Sequence, residues 1–190
     1  MSPIFRFAPS LMCVALLATA VSATQVTRMD TRTMAQTSSE IVIGKVTGTQ
    51  AHWNDARTKI VTDVRVEVSE SLKGGGSTLL TLTQLGGEVD GARYNVPGCP
   101  AFRAGEEVLL FVWRDTQGRA QVNGLAQGKF EIQRDALTGE ATVQRALPGL
   151  TVGDAKTLAV RATRGETTPV RLSELKTAIR EALSPQGAGR

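Results

Sequence analysis

Six consecutive apolar residues, Val108-Leu109-Leu110-Phe111-Val112-Trp113, lie between Glu106-Glu107 and Arg114-Asp115. A run this short, bounded by charge, predicts a strand covered on both faces. A buried helical turn is the alternative. The branched and aromatic side chains, with turn residues on either side, favour the strand. The chain before this run reads as sheet built towards it, and the chain after it as sheet built from it.

The clearest periodicity is in Lys59 to Glu70. Ile60, Thr62, Val64, Val66 and Val68 fall on one face, and Val61, Asp63, Arg65, Glu67 and Ser69 on the other. A period of two places one face on a core and the other in water. Glu40 to Gln50 predicts the preceding strand, with Gly44 and Gly48 as places for a bend or bulge. The turn between these strands holds His52, the only histidine, and Trp53. Gly74-Gly75-Gly76 turns the chain into a third strand, Thr78 to Leu85, carrying Leu79, Leu80, Leu82 and Leu85. Gly86 to Gly105 shows no sustained period and is rich in glycine, with Pro97 and Pro100 flanking Cys99. It predicts a long loop holding a short strand near Ala92 to Val96; long loops often carry function. Ala120 to Leu125 predicts an antiparallel return, and Lys129 to Arg145 a hairpin with Phe130 and Ile132 inward. Leu150 to Pro169 reads as extended coil with Leu158 and Val160 as buried anchors. Leu172, Leu175, Ile179 and Leu183 recur at helical spacing, predicting a helix over 173–183 with Ser173 as N-cap. Thr24 to Ser39 is polar and predicts one or two helical turns at the domain edge.

The first 23 residues carry one charge, Arg6, then an apolar stretch from Leu11 to Ala20, then Val21-Ser22-Ala23. This pattern predicts a secretory signal peptide cleaved after Ala23. The stretch is shorter than the ~20 residues of a spanning helix, so no transmembrane anchor is expected in the mature chain. Cleavage would remove Cys13 and leave Cys99 as the only cysteine, with no internal disulfide. The expected location is the periplasm or the medium. The expected layout is a signal peptide over 1–23, a lead segment over 24–39, a β-domain over 40–146, and an extended segment with the C-terminal helix over 147–190.

The residues point away from several chemistries. The formal charge of +4, with 22 basic and 18 acidic residues interspersed, is no nucleic-acid footprint. One histidine and one mature cysteine make no metal-ligand spacing. Glu106 and Glu107 point to opposite faces of a strand and cannot share a substrate atom. Gly74-Gly75-Gly76 lacks the Lys-Ser/Thr of a phosphate loop. The expectation is a chain that is not an enzyme, with no cofactor and no metal.

Three stretches occur in a telling order: Ser39-Glu40-Ile41-Val42-Ile43-Gly44-Lys45-Val46, Val66-Glu67-Val68-Ser69-Glu70-Ser71-Leu72-Lys73-Gly74, and Phe102-Arg103-Ala104-Gly105-Glu106-Glu107-Val108-Leu109-Leu110-Phe111. This order resembles the netrin-like module of tissue inhibitors of metalloproteinases. Gly124-Leu125-Ala126-Gln127-Gly128-Lys129-Phe130 is similar to an element of a group of exported bacterial proteins. The resemblance covers roughly residues 40 to 133. It implies an all-β core: a small OB-like, netrin-like β-barrel with a C-terminal α-helix and a short N-terminal helix. Those inhibitors chelate the protease zinc through a disulfide-bonded N-terminal cysteine. Here the predicted mature N-terminus is Thr24, with no cysteine near it, so zinc chelation does not carry over.

The expected function is an exported, non-catalytic protein-binding module, acting on or with an envelope or extracellular protease. A structural or assembly role in the envelope is the competing expectation. Candidate partner-binding residues are His52, Trp53, Tyr94, Cys99 and Phe102, since exposed aromatic residues on loops are common interface anchors.

Overall fold

The computed structural model describes residues 24–147, 150–153, 160–162 and 168–184. The predicted signal peptide lies outside the described residues. In chain order the elements are β1 (Thr24–Thr27), α1 (Thr31–Thr37), β2 (Glu40–Trp53), β3 (Ile60–Lys73), β4 (Leu79–Leu85), β5 (Gly87–Val89), β6 (Ala92–Tyr94), β7 (Glu107–Arg114) and β8 (Ala120–Val122). A 3-10 turn (Leu125–Gly128) leads into β9 (Lys129–Arg134), β10 (Ala141–Gln144), β11 (Leu150–Gly153), β12 (Val160–Ala162), β13 (Val170–Arg171) and α2 (Leu172–Leu183). The described chain is mostly sheet, with a C-terminal helix and a short N-terminal one. No helix among the described residues is long and apolar enough to cross a membrane.

The principal sheet has eight strands in the order β13-β10-β9-β7-β2-β3-β4-β8, and β8 pairs again with β7. The pairings therefore run in a ring: β7 to β2, β3, β4, β8 and back to β7. All are antiparallel except β4–β8, which is parallel and consists of one residue pair, Leu82 with Ala120. Tight curvature needs breaks in the ladder, and the glycines of β2 supply them. The β2–β3 register shifts between Ile43 and Gly44 and again between Val46 and Gly48. A Cβ on Gly44 would collide with the Glu67 carbonyl oxygen and Val66 Cγ1. Only glycine lets the two backbones approach this closely.

Strand β7 has a core on each side. Val108, Leu110 and Val112 join Val42, Val46, Val64, Val66, Leu80, Leu82, Ala120 and Val122 in one cluster, all contributed by ring strands. Leu109 and Phe111 join Ile41, Ile43, Phe130, Ile132, Val143 and residues of both helices in a second cluster. The Phe111 and Phe130 rings lie 5.9 Å apart at a tilt of 49°. The helices cover this outer face. Asp30 caps α1 by accepting from the Thr33 amide at 2.7 Å. Lys73 on β3 donates to the carbonyls of Ala35, Gln36 and Ser38 at 2.6–3.0 Å, satisfying the far end of the same helix. Helix α2 buries Leu172, Leu175, Ile179 and Ala182, and Lys176 pairs with Glu70 at 2.6 Å.

Several expectations need correction. Trp113 is exposed. The β2–β7 ladder ends at Glu40 and Val112, so Trp113 lies beyond β2 and pairs only with Gln121 of β8. On β4, where the sequence assigned no buried face, Leu80, Leu82 and Gln84 are buried and Leu79 and Leu85 are exposed. Val68 is only partly buried. Ser173 does not cap α2: β13 keeps the chain extended through Arg171, which is the N-cap, and Leu172 opens the helix. Leu150 to Pro169 is not coil throughout, since β11 pairs with β1 in parallel and with β12 antiparallel. Leu158, expected as an anchor there, lies outside the described residues.

Candidate functional site

The Gly86 to Gly105 segment leaves β4 through two glycines with positive φ, Gly86 and Gly87. A side chain on Gly87 would meet Thr62 Oγ1 and Ala51 Cβ, so the segment lies close over β2 and β3 here. It then forms the β5–β6 hairpin, where Glu88 and Arg93 make an exposed ion pair at 2.6 Å. From Val96 on, the segment is held at several points. The Cys99 amide donates to the Val96 carbonyl, and the Ala126 amide donates to the Gly98 carbonyl at 2.9 Å. At the far end Gly105 N donates to Val46 O at 2.7 Å, and Val46 N to Glu106 O at 2.9 Å, extending the β2–β7 ladder.

Lys129 is the strongest anchor. It pairs with Leu110 across β7–β9 and so faces the ring side, where the long segment returns. Only 6% of its side chain is exposed, and its ammonium lies 2.9 Å from Glu106, 3.2 Å from Glu131 and 4.7 Å from the Phe102 ring centre. It also donates to the Ala101 carbonyl. A buried ammonium needs this many partners: Ala101 and Phe102 belong to the segment, Glu106 directly follows it, and Glu131 lies on the same strand as Lys129. Gln127, also buried, accepts from the Met29 amide at 2.9 Å. The Gly124 to Phe130 stretch is thus a structural clasp between the long segment, the N-terminal lead and the sheet.

The segment walls a cleft of about 280 Å³ against the end of the ring. Tyr94, Cys99 and Phe102 line it together with Gln84, Val64 and Thr49. Phe102 also packs on the ring cluster. Cys99 is half-buried; burial pushes its thiol pKa up, partly offset by a hydrogen bond from the Leu85 backbone. Gln84 is 8% exposed, and its Nε2 has no hydrogen-bond partner among the described residues. A buried amide N–H left in this way costs about 1–3 kcal/mol. The sequence reading missed both Gln84 and Lys129. The alternation through Leu80 and Leu82 carries on to Gln84, and the alternation that turns Phe130 inward puts Lys129 on the opposite face.

His52 and Trp53 do not line this cleft. They end β2, where Trp53 pairs with Ile60. His52 bonds the Trp53 carbonyl at 2.9 Å and Asp63 at 3.2 Å, and the first contact, helped by Asp63, raises its pKa above the usual histidine value. Three of the five candidates are therefore brought together and two stand apart. Glu106 and Glu107 have different partners, Lys129 and Arg134. Among the described residues, no three His, Cys, Asp or Glu side chains are placed to hold a metal ion. No family model, curated protein or solved structure matches the chain.

Proposed function

We propose that this chain is a non-catalytic protein-binding module, exported by its N-terminal segment, and that its site is the end of the strand ring walled by the Gly86 to Gly105 segment. The ring is read as a five-stranded OB-type barrel of β2, β3, β4, β8 and β7. Support comes from the antiparallel β2-β3-β4 meander, the parallel β4–β8 bridge and the antiparallel returns of β8 on β7 and β7 on β2. A partly open five-stranded barrel of this kind presents ligands to its loops.

The observation that carries the functional reading is the cleft itself. Tyr94 stands exposed on its wall, Phe102 packs on the ring cluster, and the intervening backbone is tied to the 3-10 turn at Ala126 and to the Lys129 ammonium. A surface held in place before binding loses little freedom when a partner docks. Replacing Glu88 to Asn95 by a Gly-Ser turn tests the reading. It removes the exposed hairpin and Tyr94 but leaves the Lys129 anchor. Melting near that of the wild type with loss of partner capture from an envelope extract is the expected outcome. Equal capture of the same partners would refute it.

A further inference from the structure

Both ring nitrogens of His52 face oxygen acceptors. Nδ1 lies 2.9 Å from the Trp53 carbonyl oxygen, and Nε2 lies 3.2 Å from Asp63 Oδ2. A neutral imidazole carries one N–H and can serve only one of them. With the proton on Nδ1, the Nε2 lone pair would confront the Asp63 carboxylate. With the proton on Nε2, the Nδ1 lone pair would confront the carbonyl. Only the imidazolium satisfies both. Asp63 is held from its other side, where the Thr83 hydroxyl donates to Oδ1 at 2.9 Å. His52, Asp63 and Thr83 thus join β2, β3 and β4 on one face. Ala51 and Thr62 alternate with His52 and Asp63 and so stand on the opposite face. On that face they carry the root of the long segment. A Cβ on Gly87 would meet both of them, and the Thr62 hydroxyl donates to the Gly86 carbonyl at 2.7 Å.

We propose that His52 is a pH-operated clip. As an imidazolium it fastens the end of β2 to β3 and, through Asp63, to β4; without its proton it loosens the strand ends that carry the Gly86–Gly87 root. The bond to the Trp53 carbonyl, helped by Asp63 and by the charge of Asp55 in the turn, raises the His52 pKa above 6.5 against the opposing effect of burial. The cations on the same elements are Arg57 and Lys59 in the turn and Arg65 on β3, whose guanidinium lies over Gly48. Strand β4 brings no charge, and β5, on the opposite face, brings Glu88, which is paired with Arg93. A group whose pKa is raised on folding contributes fully below its unfolded value, and the contribution is lost as pH rises through the folded value. The clip is therefore closed below pH 6.5 and opens above it, as the pH passes the higher folded value. The side chains of His52 and Asp63 are 45% and 36% exposed, so the clip governs local order at this end of the sheet and not global stability.

His52 is the only histidine, so its ring signals can be followed alone in 15N,13C-labelled protein from about pH 5 to about pH 8.5, beside the backbone amides of Gly86 and Gly87. The ring is expected to titrate with a midpoint above 6.5, and the two glycine amides to shift with that same midpoint. Asp63→Asn should move the midpoint down towards 6.5, and His52→Gln should abolish the shift of the glycine amides. A midpoint at or below 6.5, or one that Asp63→Asn leaves unchanged, would overturn the proposal. So would glycine amides that stay still while the ring titrates, or that titrate equally in His52→Gln. None of these readouts involves a partner, so their failure would leave the protein-binding reading as it stands, and failure of that reading would leave the clip.

Discussion

The two sides of β7 make an instructive pair. Its ring-facing side, Val108, Leu110 and Val112, joins aliphatic residues from four other strands, with Phe102 packed against them. Its other side, Leu109 and Phe111, meets Met34, Phe130 and the apolar stripe of α2. The first side is sealed by hydrogen-bonded neighbours that recur around the ring. The second is sealed by elements attached through a few side-chain contacts, chiefly Lys73 at the end of α1 and Glu70 at Lys176. Equal burial thus rests on unequal support. Damage to the ring side should unfold the molecule, whereas damage to the helix side should first undock a helix.

The largest effect is expected from a charge in the ring. Val66 is fully buried, and Val66→Asp should lower stability by several kcal/mol, on the order of 3, measured by urea denaturation. Unchanged melting would dissolve the distinction between the two sides. On the helix side, Ile179→Ala removes a fully buried side chain and should cost about 2–4 kcal/mol. Its signature is different: amides of α2 should exchange faster, while those of β3 and β4 keep their protection. Equal loss in both regions would show a single cooperative core.

A smaller effect is expected at Lys73, whose ammonium satisfies three carbonyls at the end of α1. Lys73→Met keeps the aliphatic stem and removes the donors. The expected cost is about 1–2 kcal/mol, with proteolysis near Ser38 and Ser39 as the sharper readout; unaltered cleavage there would mean that packing alone holds the helix. The smallest effect is pH-dependent. The Cys99 thiol is raised above its ordinary value of 9.0, chiefly by burial. The folded state therefore holds this proton more firmly than the unfolded chain. Stability is unaffected below the unfolded thiol pKa and declines as pH rises from there towards the folded value. Labelling by a maleimide should be slower than for a free thiol at pH 8. Labelling as fast as a free thiol would mean that Cys99 is open to solvent.

Much of the sheet could be read from the chain because its signals are local. Strict alternation marks the Val64 and Val66 face, and the unbroken apolar run marks a strand with two cores. Gly44 and Gly48 mark two of the three register shifts of β2, the third lying between Ile41 and Val42. What could not be read depends on partners distant in sequence. Trp113 belongs to the apolar run but loses cover where β2 ends. β11 forms on β1, more than a hundred residues earlier, and nothing in its own composition announces that partner. The cleft was partly legible, since Tyr94, Cys99 and Phe102 stand in one glycine- and proline-rich segment. Its back wall was not, because Gln84 comes from another strand and only the register with Thr62 brings it there.

The ring of pairings is completed between β4 and β8 by a single residue pair. Nuclear Overhauser contacts between the backbone protons of Leu82 and Ala120, in 15N,13C-labelled protein, test it directly. Strong contacts of parallel-strand type are predicted there, together with slow amide exchange in β8. Absent contacts with rapidly exchanging β8 amides would leave the sheet open at this edge, and the inner face of β7 would then be no different in kind from the outer one.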